Sequence, residues 1–170
     1  PQAVTYDALQ DFTPLGMSAA RVISEADIVL NRAAGYRLER GELRNQQWVA
    51  PMLNTTADGS LYLSLQDLIA WDRGIRGGAV LQASSWRQIF APVTLNSGRT
   101  HPYGFGFQVD RIGGQDIQLH GGSWQGFQTY LARYLGDDVT LIALANLSQA
   151  SPKRVVDRIA AHLMPALTSS

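Results

Sequence analysis

Between residues 103 and 146 the chain alternates short apolar runs with turn sequences, and this alternation limits the fold more than any other feature. Gly113-Gly114 and Gly136-Asp137-Asp138 each separate two runs, and a glycine-rich segment, 120–126, separates the middle pair. In the first run, apolar side chains alternate with polar residues and glycines from Tyr103 to Val109. Connections this short join antiparallel neighbours, because a parallel crossover needs a dozen residues or more. The pattern predicts a four-stranded antiparallel meander.

Helix signals lie on both sides of this predicted sheet. Ser64, with Asp67 three residues later, forms a capping-box pattern before an apolar run at helical spacing, and Gly77-Gly78 stops the run. Ser151-Pro152 supplies an N-cap and a first-turn proline for a last helix, which Pro165 ends.

Together these signals predict an α+β fold in a single partial domain over residues 1–170. Residues 1–100 are expected to form mainly helices and a hairpin that turns at Gly41. The antiparallel sheet follows over residues 103–146, and a C-terminal helix over residues 151–165 packs against it.

Composition excludes several classes of function. Fourteen Lys and Arg side chains balance fourteen Asp and Glu without a basic stripe, which argues against a nucleic-acid partner. The absence of cysteine excludes disulfides and thiolate chemistry. The three histidines are dispersed and have no acidic residue at ligand spacing, so we expect no metal and no cofactor. No apolar run approaches ~20 residues, so no membrane span is expected.

The segment 119–127 combines the residue types that carry chemistry. It holds a histidine, three glycines and a serine within seven residues, between two apolar runs. Glycines this dense between strands indicate that backbone passes close to another group, often a ligand. An imidazole and backbone N–H groups at such a place can bind a carbonyl or a carboxylate. A glycine-rich turn with one hydrogen-bonded histidine is the alternative interpretation.

Short motifs in one order carry a resemblance to a known family. They are Pro14-Leu15-Gly16-Met17, Gly59-Ser60-Leu61-Tyr62 with Asp67-Leu68 and Trp71, Tyr103-Gly104-Phe105-Gly106-Phe107, His120-Gly121-Gly122 with Gly126-Phe127, and Leu144-Ala145-Asn146. The series resembles the C-terminal portion of the serine β-lactamase and penicillin-binding-protein-like hydrolases. Within them it is most similar to the branch of class C β-lactamases, carboxylesterases and D-aminopeptidases. The resemblance covers nearly the whole chain and implies the fold of that family.

That family uses three motifs around one pocket, and the third, K-T-G or H-x-G, is matched by His120-Gly121-Gly122. The resemblance implies that Ser123 offers its backbone N–H as one of two oxyanion donors. It also places His120 near the substrate's carboxylate or a second proton-handling group. Glycine at 121 departs from the threonine of many members and removes a hydroxyl contact, which argues against carboxylate-bearing substrates such as β-lactams.

The family's other two motifs, S-x-x-K and Y-x-N or S-x-N, do not occur in the 170 residues. In the family both precede the turn that Pro14–Met17 matches. We therefore expect the C-terminal part of a serine hydrolase that acts on an ester, amide or β-lactam through an acyl-enzyme. This chain alone lacks the nucleophile and is expected to be inactive. A non-catalytic self-associating or binding module derived from the fold is the alternative.

Several side chains near the segment have competing interpretations. A nucleophilic Ser123 fails the G-x-S-x-G pattern, because Gln125 stands where the last glycine belongs. We predict substrate-binding roles for Gly121, Gly122, Trp124 and Tyr130, with a core position as the alternative for the two aromatic residues. We assign Tyr103, Phe105 and Phe107 to the core and His101 and His162 to the surface.

The run Val139–Ala145 is apolar on both faces apart from Thr140, which predicts a central strand covered on each side. In the family an N-terminal strand pairs with its far edge, and this chain does not include that strand. Because an unpaired apolar edge invites another strand, we expect a homodimer through Val139–Ala145 or a missing N-terminal segment there. The other expected partner is a small-molecule acyl substrate, and the resemblance implies a periplasmic or secreted location.

Overall fold

The computed structural model describes residues 12–22, 26–46 and 61–164. Their strands are β1 (Arg21–Val22), β2 (Tyr36–Glu39), β3 (Glu42–Asn45), β4 (Leu61–Tyr62), β5 (Val93–Thr94), β6 (Thr100–His101), β7 (Gln108–Ile112), β8 (Gln115–Trp124), β9 (Phe127–Tyr134) and β10 (Val139–Ala145). The α-helices are α1 (Leu65–Gly77), α2 (Ala83–Ile89) and α3 (Pro152–Leu163), and a 3-10 turn spans Thr13–Leu15. Pro165, the predicted end of the last helix, lies outside the described residues.

These residues form two compact units. The first unit is drawn from residues up to 80 together with 124–127 and 146–149, and the second unit from residues 81–123, 128–145 and 150 onward. No helix in the described parts of the chain is long and apolar enough to cross a membrane.

A four-stranded antiparallel sheet with the order β10-β9-β8-β7 confirms the predicted meander. β7 and β8 pair from Ile112 opposite Gln115, next to their two-residue turn, to Gln108 opposite Leu119. β10 lies at one edge of the sheet and pairs with β9 along its full length. The helices and the sheet give the α+β fold that the sequence predicts.

Helix α3 covers one face of this sheet and builds its core. Proline at the first helical position follows Ser151, as predicted, because its fixed φ suits the helix and its missing N–H is not needed there. The buried cluster of this face is Ile117, Leu119, Tyr130, Ala132, Tyr134, Val156, Ala160 and Met164. Each large apolar side chain buried in this way contributes about 1.5–3 kcal/mol.

The other face of the sheet carries an aromatic stack that begins on α2. Trp86 stacks on Phe90, with ring centroids 5.6 Å apart, and Phe107 meets Phe90 edge-on at 5.1 Å. The guanidinium of Arg133 lies 5.7 Å from the centre of the Phe90 ring and donates a hydrogen bond to the Gln118 side chain. The stack therefore joins α2 and the residues before β7 to β8 and β9.

In the first unit, Asp67 has the capping role that its spacing predicts. Its side chain accepts hydrogen bonds from the backbone N–H and hydroxyl of Ser64, and the Ser64 hydroxyl accepts one from the backbone N–H of Asp67. The Asp67 carboxylate also accepts the backbone N–H of Ala19, 48 residues away. The hairpin predicted at Gly41 is present as β2 and β3, with Arg40 and Gly41 both at positive φ.

Two boundaries differ from the sequence prediction. The first strand of the meander begins at Gln108 instead of Tyr103, because Gly106 has a φ of +79° and the chain before it folds against α2. The glycine-rich segment is not a loop, since β8 runs unbroken to Trp124. The turn is confined to Gln125 and Gly126, whose φ values of +47° and +85° match a type I′ hairpin turn.

Candidate functional site

The register of the β8–β9 hairpin decides which way the backbone of the candidate site points. Its two-residue turn makes Trp124 and Phe127 a hydrogen-bonded pair, so Ser123 lies opposite Gln128 in the next, non-hydrogen-bonded pair. The N–H groups of Ser123 and Gly121 therefore point away from β9. On that side, no strand of the described residues pairs with β8 beyond Leu119. This backbone edge is suited to binding an oxyanion.

His120 presents its imidazole on the face of the sheet opposite α3. Strand side chains alternate between faces, and Leu119 packs in the α3 core while His120 is exposed. The Nε2 atom of His120 lies 2.9 Å from the hydroxyl oxygen of Tyr103. The two rings meet edge-on, with centroids 6.1 Å apart and planes at 62°. The structure thus brings together an imidazole and a phenol.

The two glycines after His120 have different neighbours. A Cβ atom on Gly122 would lie 2.6 Å from the Thr129 hydroxyl oxygen, which is far inside van der Waals contact. A Cβ atom on Gly121 would meet only ordinary contacts, at 3.4 Å from the Thr129 carbonyl oxygen and 3.5 Å from the Tyr130 ring. Any larger residue at 122 would therefore displace the Thr129 side chain, whereas position 121 is open to variation.

The hydroxyl of Ser123 is engaged across the hairpin. Gln128 donates a side-chain hydrogen bond to Ser123 Oγ at 2.8 Å. Since Ser123 is one residue removed from Gly122 and three from His120, its side chain lies on the face opposite the imidazole. This placement favours the backbone role of Ser123 over a nucleophilic one.

Tyr130 combines the core position that was its alternative interpretation with a place beside His120, and its substrate-binding role stays a prediction. Its ring is buried in the α3 core cluster, and it lines a cavity of about 260 Å³ together with His120 and Gly121. Burial, followed by the charges of Asp157 and Asp110, raises the pKa of the Tyr130 phenol. The other lining residues are Tyr103, Gln108, Asp110, Ile112, Ile117, Leu119, Tyr134, Lys153 and Asp157.

The other residues that the sequence singled out are exposed or half-buried. Trp124 ends β8, is half-buried and belongs to the first unit. His101 and His162 are exposed, in agreement with their surface assignment. Phe105, assigned to the core, is instead 74% exposed, because the loop before β7 does not continue the strand alternation.

Tyr103 is the residue of this site that sequence reasoning missed. Because the sequence pattern assigns Tyr103 to a strand, we predicted that it lies in the core. In the structure it lies in the loop before β7 and is half-buried. The signal available in the sequence was the pair Gly104 and Gly106 on either side of Phe105. Glycines at this density in a strand-like run indicate close backbone approach or a turn, and so a loop at Tyr103.

Comparison with known proteins identifies the family. The sequence model of the Beta-lactamase family matches residues 10–164 of the chain. The chain belongs to the β-lactamase family. Among curated relatives, a D-aminopeptidase of Gluconobacter oxydans (strain 621H) is 29% identical over 157 residues, which cover 89% of this chain and 29% of the relative. The chain spans 25–37% of the length of the first curated relatives that it matches.

Solved structures share the fold of this β-lactamase family member. An octameric penicillin-binding protein homologue from Pyrococcus abyssi has a TM-score of 0.74 at 21% identity, over 92% of this chain and 36% of the homologue. The D-amino acid amidase of Ochrobactrum anthropi SV3, with L-phenylalanine amide bound, has a TM-score of 0.70 at 18% identity, over 95% of this chain and 49% of the amidase. Both likenesses show the fold found in β-lactamase-like hydrolases.

Proposed function

We propose that this chain supplies one wall of the active site of a serine hydrolase that works through an acyl-enzyme. The single observation that carries the proposal is the geometry of β8 after β7 ends. There the Ser123 N–H points to an edge that no strand of the described residues pairs with, and the His120 side chain lies on the face of the sheet opposite α3. In this role the Ser123 N–H binds the oxyanion, and His120 handles a proton or binds the substrate.

The nucleophile of the proposed reaction lies outside these 170 residues, which contain no S-x-x-K. A seryl oxygen would attack the substrate carbonyl, form the acyl-enzyme and expel an amine or alcohol, and water would then release the acid. Of the ester, amide and β-lactam classes, we favour amides of amino acids. The glycine at 121 lacks a hydroxyl to bind a carboxylate, and similar proteins include a D-aminopeptidase and a D-amino acid amidase.

A labelling experiment tests the acyl-enzyme. A fluorophosphonate probe is incubated with the 170-residue chain and with the full-length protein that contains it, and intact mass is measured. We expect one adduct on the full-length protein and none on this chain, because only the former carries the nucleophile in our proposal. A stoichiometric adduct on a serine of this chain, or none on the full-length protein, would reject the assignment.

Substitution of His120 tests its role in the full-length protein. We expect His120→Ala to lower kcat/KM for an amino-acid amide by roughly 10²-fold or more, as for the loss of a positioned acid–base group. His162→Ala is the matched control, since His162 is exposed at the end of α3. An unchanged kcat/KM in His120→Ala, with the fold intact, would return His120 to a structural role.

A non-catalytic module is the second candidate function, and the open edge of β10 favours it. Among the described residues β10 pairs only with β9, so its other edge can accept a strand of a second copy or an N-terminal segment. The octameric penicillin-binding protein homologue from Pyrococcus abyssi shows that a protein of this fold can self-associate. A periplasmic or secreted location is part of the proposal and follows from the family resemblance.

A further inference from the structure

We propose that Tyr103 is a positioning residue that fixes the orientation and the proton of the His120 imidazole. The proposal starts from one contact, the 2.9 Å separation of the Tyr103 hydroxyl from His120 Nε2. An exposed histidine at a strand edge otherwise exchanges among several staggered rotamers. A hydrogen bond to one ring nitrogen selects both the rotamer and the nitrogen that carries the proton.

The backbone around Tyr103 is held firmly enough for such a role. Its carbonyl oxygen accepts the N–H of Val93 at 3.0 Å, and its own N–H donates to the carbonyl oxygen of His101 at 2.7 Å. An isolated bridge also pairs Tyr103 with Gln108, the first residue of β7. The backbone of Tyr103 is therefore fixed to the strand that precedes β8 in the sheet, within reach of the imidazole.

The residue after Tyr103 extends this support to α2. A Cβ atom on Gly104 would lie 2.0 Å from the carbonyl oxygen of Ile89, so only glycine permits the contact. The same carbonyl oxygen accepts the N–H of Phe105 at 2.8 Å. Phe107 then packs edge-on against Phe90. The series Tyr103 to Phe107 thus docks on the end of α2 and directs one phenol toward β8.

The chemistry of the two groups sets the direction of the hydrogen bond. A phenol O–H is a stronger donor than a neutral imidazole N–H, and an imidazole nitrogen is a stronger acceptor than a phenol oxygen. The Tyr103 O–H therefore donates to Nε2 of His120, and the ring proton resides on Nδ1. In water the Nε2–H tautomer of histidine is the favoured one, so the structure selects the less common form.

Nuclear magnetic resonance of the ¹⁵N-labelled chain tests this directly. At a pH that leaves imidazole neutral, long-range ¹H–¹⁵N spectra report the tautomer of each of the three histidines. His120→Gln assigns the signals, and His101 and His162 serve as internal references. We expect His120 to be in the Nδ1–H form in the wild-type chain and to shift mainly to the Nε2–H form in Tyr103→Phe. Tyr36→Phe, which removes a hydroxyl from β2, should leave the His120 signals unchanged.

Each outcome of this measurement decides the matter. Nε2–H in the wild-type chain overturns the proposal, and so do identical His120 signals in the wild-type chain and Tyr103→Phe. Because the wild-type tautomer alone is decisive, the test survives even if the variant folds poorly.

A kinetic measurement, which rests on the proposed function, separates the positioning role of Tyr103 from the catalytic role of His120. In the full-length protein we expect Tyr103→Phe to lower kcat roughly tenfold with little change in KM, and to have no further effect in a His120→Ala background. If His120→Ala lowers kcat/KM and Tyr103→Phe does not, the positioning role fails while the proposed function stands. If neither variant affects kcat/KM, the catalytic role proposed for His120 fails, and the tautomer still reports whether Tyr103 controls His120.

Discussion

At the scale of single residues, two glycines place the groups of the candidate site. Gly122 lets β8 pass directly under the Thr129 side chain, and Gly104 lets the chain after Tyr103 touch the end of α2. The contact at Gly104 is with backbone, the carbonyl oxygen of Ile89, which cannot rotate away. A methyl group at 104 must therefore move the loop or the helix, whereas one at 122 needs only a shift of Thr129.

We predict that Gly104→Ala lowers the free energy of unfolding by about 1–3 kcal/mol, the usual range for an overpacked site. Gly77→Ala is the matched control, because Gly77 lies in α1 and a Cβ atom there meets no atom within 4 Å. Alanine should be neutral or stabilising by up to about 1 kcal/mol in that helix. Urea denaturation followed by circular dichroism measures both values. Equal stabilities of the two variants would contradict this account of Gly104.

At the scale of elements, the sequence predicted those whose signals are local. The capping pair Ser64 and Asp67, the proline at the start of α3 and the short turns of the meander all depend on neighbours a few residues apart. The predicted start of the first meander strand was wrong, because the residues before β7 pack against α2. A count of apolar residues at every second position does not detect such a contact. For the same reason the contact of Tyr103 with His120, 17 residues apart, could not be predicted.

The tyrosines between β9 and α3 predict a loss of stability at alkaline pH. Burial raises the pKa of Tyr134 as well as that of Tyr130, and Asp157 adds to both shifts. Above the ordinary phenol pKa of 10.0, the unfolded chain releases protons that the folded chain retains. Stability from these groups is therefore complete below about pH 10 and falls as pH rises through the raised values.

Thermal unfolding measured from pH 8 to pH 12 checks this sign, with the pH range chosen to bracket ~10, the unperturbed phenol value. The double variant Tyr130→Phe/Tyr134→Phe should show a shallower alkaline decline than the wild-type chain. Tyr36→Phe serves as the control for loss of a phenol outside this core. If the decline is equally steep in the double variant and in the wild-type chain, the two buried phenols do not cause it.

At the scale of the whole molecule, β10 is the element whose second edge is open among the described residues. Its apolar composition suits a central strand, and from the sequence we expect the partner of its far edge to be missing from this chain. In the described residues β10 is an edge strand packed against β9 and α3. The register with β9 makes Tyr130 and Ala143 directly opposite, and Ala145 opposite Gln128. With α3 on one face, the open edge and the exposed Leu144 are what a second strand would meet.

We predict that the chain self-associates through this edge and that Leu144→Pro reduces association. Leu144 occupies a non-hydrogen-bonded position in its pairing with β9, so its N–H points away from β9 toward the open edge. Proline at 144 therefore removes a donor of that edge and no hydrogen bond to β9. Leu144→Ala, which shortens the side chain and keeps the N–H, should still associate. Size-exclusion chromatography with light scattering over a range of protein concentrations measures the mass. A monomeric wild-type chain at every concentration would refute the edge pairing.

The alternation of side chains along β8 also bears on how the gene can vary. Separate turns at Gly113-Gly114 and Gln125-Gly126 fix the register of the strand at both ends, so each side chain between them stays on its own face of the sheet. One codon gained or lost between Leu119 and Gly122 would exchange the imidazole for a core side chain or force a bulge. If His120 has the role proposed above, a single-codon insertion or deletion here removes its imidazole from the site, whereas substitutions at neighbouring positions leave it on the same face. In a saturation library, this segment should tolerate substitutions better than insertions or deletions.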